Sequence, residues 1–245
     1  MRPAPLFAVA LAYGLFGAVH RPAEAAERPI VVELFTSQSC SSCPPAEALI
    51  GRLAQEDAKG GLNVLPLAFH VTYWNHLDWR DPYSLPAATA RQEAYAARLG
   101  GPSYTPQAVI DGRVEQVGSD EAGLRAAIAR AREAGPSIPL ALARVGDRLV
   151  AQVGPGHGAG RVVLIGFDPS HTTRVLRGEN AGRTIEQANI VRALHDLGPW
   201  SGGATTFTAA RPDGEAAALL LQAEDGRILG AARLDPAGAA REALR

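Results

Sequence analysis

Two cysteines three residues apart, Cys40 and Cys43, constrain this chain more than any other feature, because they are the only cysteines in its 245 residues. A small secreted scaffold held together by disulfides carries many cysteines at wide spacings. A bond between Cys40 and Cys43 closes a very short loop, which a chain-entropy argument credits with roughly 2 kcal/mol, against about 3 kcal/mol for a loop of about 15 residues. The spacing therefore favours redox exchange, with metal binding, a plain structural disulfide and two unrelated buried thiols as alternatives.

The residues around the cysteines predict a strand followed by a helix. Residues 30–35 form a short apolar run rich in β-branched side chains, and residues 44–58 carry apolar side chains at three- and four-residue spacing. The pair is thus expected at a helix N-terminus, where free N–H groups and the helix dipole stabilise a thiolate. In that arrangement Cys40 attacks a substrate disulfide, and the buried Cys43 resolves the mixed disulfide.

The elements further along the chain complete an alternating order. Residues 62–71 are apolar enough for a strand covered on both faces, and Asp111-Gly112 predicts a tight hairpin turn. The other elements are a helix over 86–99, strands over 107–110 and 114–117, and a helix over 120–134. The order β-α-β-α-β-β-α, with the cysteines between the first strand and its helix, is that of a thioredoxin-like domain of the α/β class. We predict this domain for residues 27–135.

Thr105 and Pro106 stand directly before the third strand, where thioredoxin-like proteins have a cis-proline lying against the CxxC pair. That proline exposes the backbone of the preceding residue for pairing with an extended substrate peptide. Since cis X–Pro bonds are rare, we expect Thr105–Pro106 to be cis and to belong to the site. An ordinary trans proline at the start of a strand is the alternative.

Two further side chains are candidates for the site. Glu33 lies on the first strand, near the place where thioredoxins keep a buried acid that deprotonates the resolving cysteine; a partly solvated strand carboxylate is the alternative. His70 ends the second strand, at the edge where α/β proteins place their sites. It is expected to stabilise the Cys40 thiolate or to join Cys40 and Cys43 as a third ligand for copper or zinc. An equally good alternative is that His70 has only a structural role and is held by hydrogen bonds.

The two ends of the chain carry different predictions. Residues 1–26 have a basic start, an apolar stretch over 6–19 and the Ala23-Glu24-Ala25 pattern, which predict a cleaved signal peptide. An uncut membrane anchor is the alternative. Residues 136–245 contain short alternating runs with turn residues between them, which predict a smaller all-β, sandwich-like domain. Within it, residues 184–197 have helical apolar spacing, although their setting among strands favours an extended segment.

The net charge of the chain and its predicted export limit the molecules it is expected to bind. A formal net charge of −1 gives no attraction to nucleic acid or to an anionic membrane surface. The signal peptide predicts a periplasmic or secreted protein with no stable membrane span after cleavage. We therefore expect protein thiols and disulfides as partners, with a redox partner that the sequence does not identify.

Several segments together resemble the DUF1223 family, which comprises secreted bacterial proteins of uncharacterised function. The segments are 33–46 (ELFTSQSCSSCPPA), 70–74 (HVTYW), 91–92 (RQ), 104–107 (YTPQ) and 178–183 (GENAGR). The resemblance runs across nearly the whole mature chain and implies a thioredoxin-like domain with an added β-rich part. It implies no particular reaction.

Three hypotheses for function follow. The first is an exported thiol–disulfide oxidoreductase that uses Cys40 and Cys43 and needs no cofactor. The second is a copper-binding or copper-delivering protein that uses Cys40, Cys43 and His70. The third is a non-catalytic module whose β-rich domain binds a partner.

Overall fold

The computed structural model describes residues 28–135 and 137–234, so the predicted signal peptide lies outside the described residues. The described residues form three helices and eleven strands. The helices are α1 (Pro44–Ala58), α2 (Pro86–Leu99) and α3 (Glu121–Arg132). The strands are β1 (Ile30–Thr36), β2 (Val64–His70), β3 (Gln107–Ile110), β4 (Val114–Val117), β5 (Leu140–Val145), β6 (Arg148–Val153), β7 (Gly160–Arg174), β8 (Thr184–Trp200), β9 (Thr205–Ala210), β10 (Ala216–Gln222) and β11 (Ile228–Arg233).

Eight of the strands form one mixed sheet in the order β11-β10-β7-β8-β2-β1-β3-β4. β1 runs parallel to β2 and antiparallel to β3, which pairs in turn with β4. The C-terminal strands join this sheet where β8 runs parallel to β2, with Ala68 opposite Ile190. β5, β6 and β9 form a second, three-stranded sheet. The fold is thus a mixed α/β architecture, and four strands of the predicted β-rich half extend the sheet of the first half.

Three apolar cores fill the spaces between the layers. On β1, Val31 and Phe35 face a core that includes residues of α2, whereas Val32 and Leu34 face a core shared with α1 and α3. On β10, Leu219 faces a third core, shared with the three-stranded sheet. β1 and β2 are buried at every residue, which explains their continuous apolar sequences.

Two local sequence signals agree with the structure. Asp111 and Gly112 both have positive φ, 51° and 64°, as a two-residue turn between antiparallel strands requires. The hairpin predicted at this point is therefore confirmed. Residues 184–197 are extended within β8, as their setting favoured. Within the two described ranges, no helix has the length and apolar character that crossing a bilayer requires.

Candidate functional site

A disulfide joins Cys40 and Cys43 at the start of α1, with their Cα atoms 5.4 Å apart. Cys43 is the N-cap residue of that helix. Both cysteines are buried, with Cys40 1% and Cys43 0% exposed, whereas Ser41 and Ser42 between them face solvent. The pair therefore lies where the sequence places it, but its sulfur atoms are shielded.

The first turn of α1 offers few free backbone donors to a thiolate. Prolines occupy its first two positions, and a proline has no N–H group. The next two N–H groups, of Ala46 and Glu47, donate to the carbonyl oxygen of Cys43. The expected stabilisation by free N–H groups is thus reduced, and the helix dipole is the part of it that remains.

A loop from the C-terminal half is hydrogen-bonded to the backbone around Cys40. We call residues 175–183 the covering loop. The Asn180 Nδ2 group donates to the carbonyl oxygens of Gln38 and Cys40, each at 2.9 Å. The Glu179 carboxylate accepts a hydrogen bond from the Ser41 N–H at 3.1 Å. The covering loop contains the GENAGR segment singled out in the sequence. It holds the backbone of residues 37–43, which we call the cysteine loop.

The segment after β2 holds the other side of the cysteine loop. The Ser39 hydroxyl donates to the carbonyl oxygen of Trp79 at 2.6 Å, and the Trp79 indole donates to the Gln38 side-chain oxygen at 3.0 Å. The Gln38 N–H donates to the Asp81 carboxylate at 2.8 Å. Trp79 therefore has a packing and hydrogen-bonding role here. Tyr73, near the start of the same segment, is 38% exposed.

Buried polar side chains beneath the cysteine loop form a connected network. An indole N–H only donates, so Trp79 fixes the Gln38 amide with its oxygen towards the indole. The Gln38 Nε2 group then donates to Gln187 Oε1 at 2.7 Å, and Gln187 Nε2 donates to Glu47 Oε1 at 2.9 Å. Gln187 Nε2 also lies 3.3 Å from His70 Nε2. The amide orientations along this network are thus set by one donor at its end.

Glu47 occupies a distinctive place in the network. Its Oε1 atom accepts from the Thr36 hydroxyl at 2.8 Å and from Gln187, while its Oε2 atom is buried and has no hydrogen-bond partner among the described residues. Burial raises the pKa of Glu47, and the opposing effects of His70 and of these two hydrogen bonds offset only part of the rise. Glu47 is therefore suited to hold a proton where an ordinary glutamate has lost it.

A cavity of about 660 Å³ reaches Glu47 from the surface between α1 and the strands β7 and β8. Its apolar wall includes Gly51, Phe167 and Ala188, and Gln187 lines it beside Glu47. Glu47 therefore stands between this cavity and the first turn of the disulfide helix.

His70 is fully buried, and both of its ring nitrogens face polar neighbours. Nδ1 lies 2.7 Å from an Asp81 oxygen, and Nε2 faces Gln187. In the part of the chain that the structure describes, no three side chains of His, Cys, Asp or Glu come together as a metal-ligand group. The copper alternative with Cys40, Cys43 and His70 thus gains no support from the arrangement of these side chains.

Glu33 lies in a second buried network. Its carboxylate forms an ion pair with Arg91 and accepts from the Tyr95 hydroxyl at 2.7 Å. Arg91 and Tyr95 also bond to Gln222 on β10, so this network links β1, α2 and the C-terminal half. None of the hydrogen bonds seen for Glu33 in the described ranges connects it with the cysteines. Its role as a proton acceptor stays a prediction.

The Thr105–Pro106 bond is cis, as the sequence predicts. Pro106 is buried near the first turn of α1: a Cβ atom built on Gly118 would lie 3.3 Å from Pro106 Cβ and 3.4 Å from Ala46 Cβ. The Thr105 hydroxyl accepts from the Trp74 indole at 2.8 Å. Of the predicted site residues, the fold thus brings Pro106 close to the disulfide helix, whereas Glu33 lies elsewhere.

Sequence reasoning missed four residues of this site: Gln38, Glu47, Asn180 and Gln187. Glu47 carried a usable signal, because it follows Cys43 by four residues in a predicted helix, a spacing that places two side chains on one face. Gln187 carried none, since it contacts Gln38 from 149 residues away.

Comparisons with known proteins match this chain to a family model and to solved structures. The family model of DUF1223, described as a protein of unknown function, matches residues 31–222. An X-ray structure of a protein from Agrobacterium tumefaciens is 32% identical, covers 86% of this chain and 96% of its own, and superposes with a TM-score of 0.72. HBP35 of Porphyromonas gingivalis is 16% identical, covers 88% of this chain and 78% of its own, and has a TM-score of 0.57, which shows similarity of fold alone. No curated protein matches the chain. The chain belongs to the DUF1223 family.

Proposed function

We propose that this protein is an exported thiol–disulfide oxidoreductase whose residues 27–135 form a thioredoxin-like domain and whose partners are protein thiols and disulfides. The observation that carries the proposal is the Cys40–Cys43 disulfide at the N-cap of α1, directly after β1. A CxxC pair at a helix N-terminus is where thiolate chemistry is favoured. In the periplasm or outside the cell, conditions are oxidising enough for a disulfide between such cysteines to form and persist.

The arrangement of the first half supports the thioredoxin-like assignment. The strand order β2-β1-β3-β4, with β1 and β2 parallel and β3 antiparallel to β1, is the order expected from β-α-β-α-β-β-α. The cis Thr105–Pro106 bond precedes β3. Residues 136–245 then form the proposed second, β-rich unit, with the covering loop reaching back to the cysteines.

The exchange begins from the disulfide. A substrate thiolate attacks the sulfur of Cys40, the S–S bond breaks, and its electron pair goes to the sulfur of Cys43, which takes up a proton. A second substrate thiolate then attacks the substrate sulfur of the mixed disulfide and releases Cys40, which is protonated in turn. Two substrate thiols become one disulfide, and the protein pair gains two electrons and two protons.

Access to Cys40 requires movement of the covering loop. Cys40 is 1% exposed, and an attacking sulfur has to approach it to bonding distance. The covering loop is held at the cysteines by the hydrogen bonds of Asn180 and Glu179. Displacing this loop is therefore the gating step of the proposed exchange.

Single-cysteine variants test the proposal. The reduced Cys43→Ser protein is mixed with oxidised glutathione, and the product is analysed by intact mass. We expect a mixed disulfide on Cys40 that accumulates, because no second thiol resolves it. The matched Cys40→Ser variant is expected to form little adduct, because Cys43 is held at the N-cap of α1 and should stay buried when the covering loop moves. Equal adduct on both variants, or none on either, would contradict the proposal.

A further inference from the structure

We infer that Glu47 transfers the proton of Cys43, exchanging it with solvent through the cavity between α1 and the strands β7 and β8. The inference rests on the proposed redox function and assigns a proton route to it. Cys43 is 0% exposed, so a proton that leaves or reaches its sulfur has no direct contact with bulk water. A buried group near it has to carry that proton.

The helix places Glu47 for this task. Residues four apart on a helix lie on the same face, and Glu47 follows Cys43 by four residues, with its N–H bonded to the Cys43 carbonyl oxygen at 3.1 Å. The carboxyl group is held by one oxygen only, because Thr36 and Gln187 both donate to Oε1. Oε2 is left free to hold or release a proton.

The cavity supplies the other end of the route. Glu47 is 3% exposed, yet it lines the cavity that opens to the surface between α1 and β7 and β8. Burial without an ion-pair partner keeps the carboxyl group protonated to higher pH than usual. This brings its proton affinity nearer to that of a thiol, which favours transfer in both directions.

Several titratable groups surround Glu47 and bear on its pH dependence. His70 and Asp81 face it from β2 and the segment after it and interact with its charge. The charged or titratable side chains that line the cavity with it are Arg52, Asp57, His171, Glu186 and Arg233. Arg52 and Asp57 are engaged with Glu121 and Arg233 respectively.

In the proposed step, protonated Glu47 gives its proton to Cys43 as that sulfur leaves the disulfide, and it regains a proton from water in the cavity. In the opposite direction, ionised Glu47 accepts the proton of the Cys43 thiol. The thiolate then attacks Cys40 in the mixed disulfide, and the substrate sulfur leaves with the electron pair of the broken bond. No further oxidant or reductant is needed, because the substrate supplies the thiols or the disulfide.

The test is the pH dependence of exchange between the full mature protein and glutathione, measured by stopped-flow tryptophan fluorescence. Glu47→Gln keeps Oε1 as an acceptor and removes the proton carrier. We expect exchange to slow by about 10²-fold, the lower range for general acid–base catalysis, and one ionisation to vanish from the pH profile. Glu47→Asp retains a carboxyl group and should restore part of the rate. Glu93→Gln, at an exposed position of α2 outside this cavity, serves as the matched control and should leave the profile unchanged.

Each other outcome identifies what fails. Wild-type exchange together with a superimposable Glu47→Gln profile would overturn this inference and leave the redox proposal standing. A profile altered by Glu33→Gln but not by Glu47→Gln would assign the proton transfer to Glu33 instead. Absence of exchange in the wild-type protein would overturn the redox proposal itself, and the proton route with it.

Discussion

Buried carboxyl groups in this protein differ in how their charge is compensated. Glu33 is paired with Arg91, Asp111 with Arg28, and Asp81 with His70. Among the described ion pairs none involves Glu47, and its Oε2 atom has no hydrogen-bond partner among the described residues. The difference explains why burial raises the pKa of Glu47. A charge without a partner is costly in the interior, so Glu47 favours its neutral form.

Stability should therefore depend on pH through Glu47. A carboxyl group whose folded pKa is raised contributes stability below its unfolded pKa and loses that contribution as the pH rises through the folded pKa. Wild-type protein should thus lose stability relative to Glu47→Gln as the pH rises from about 4.5, and the gap should level off above the raised pKa. Urea unfolding of both proteins from about pH 4 to about pH 9 measures the gap. A gap that does not change with pH would contradict the assignment.

Element positions in the first half followed from local signals, whereas the network beneath the cysteines did not. α1 and α2 have the predicted bounds because their apolar spacing and N-terminal prolines are local properties. β8 looked ambiguous because register shifts in its pairing with β7 interrupt strict alternation. The contacts of Gln187 and Asn180 with the cysteine loop join residues 149 and 140 positions apart, and no periodicity in the sequence predicts such contacts.

At the scale of elements, the covering loop should control access to the disulfide. Asn180→Ala removes two hydrogen bonds, each worth about 1 kcal/mol. If the proposed gating holds and reduction requires this loop to move, reduction by dithiothreitol should speed up by about 10- to 30-fold. Leu176→Ala, in the same loop and 65% exposed in the wild-type protein, is the matched control and should not alter the rate. Equal rates for Asn180→Ala and wild type would show that the loop does not gate the cysteines.

The two halves of the chain are joined along a continuous sheet and also at its turns. Arg91 on α2 contacts Glu33 on β1 and Gln222 on β10. The hairpin turn at Gly112 approaches the turn before β11, where the Ile228 N–H donates to the Asp111 carbonyl oxygen at 3.0 Å. These contacts hold the second half in the position from which its covering loop reaches Cys40.

A pair of glycine variants tests the contact between these turns. Gly112 and Gly146 have nearly equal φ values, +64° and +62°, but a Cβ atom on Gly112 would lie 1.9 Å from the Gly226 carbonyl oxygen, whereas one on Gly146 meets nothing within 4 Å. Gly146→Ala should cost about 1–2 kcal/mol, the price of a left-handed alanine. Gly112→Ala should cost a further 1–3 kcal/mol or so from the clash. Equal losses of stability in the two variants, measured by thermal unfolding, would show that the Gly112 turn does not pack against the turn before β11.

The reduction potential of the Cys40–Cys43 pair tests the central claim most directly. The full mature protein is equilibrated in glutathione buffers, and free thiols are trapped with iodoacetamide and located by mass spectrometry. We predict a potential between about −120 and about −270 mV, the range of working oxidoreductases, with Cys40 alkylated before Cys43. A potential well below about −300 mV would mark a structural disulfide and contradict the redox function.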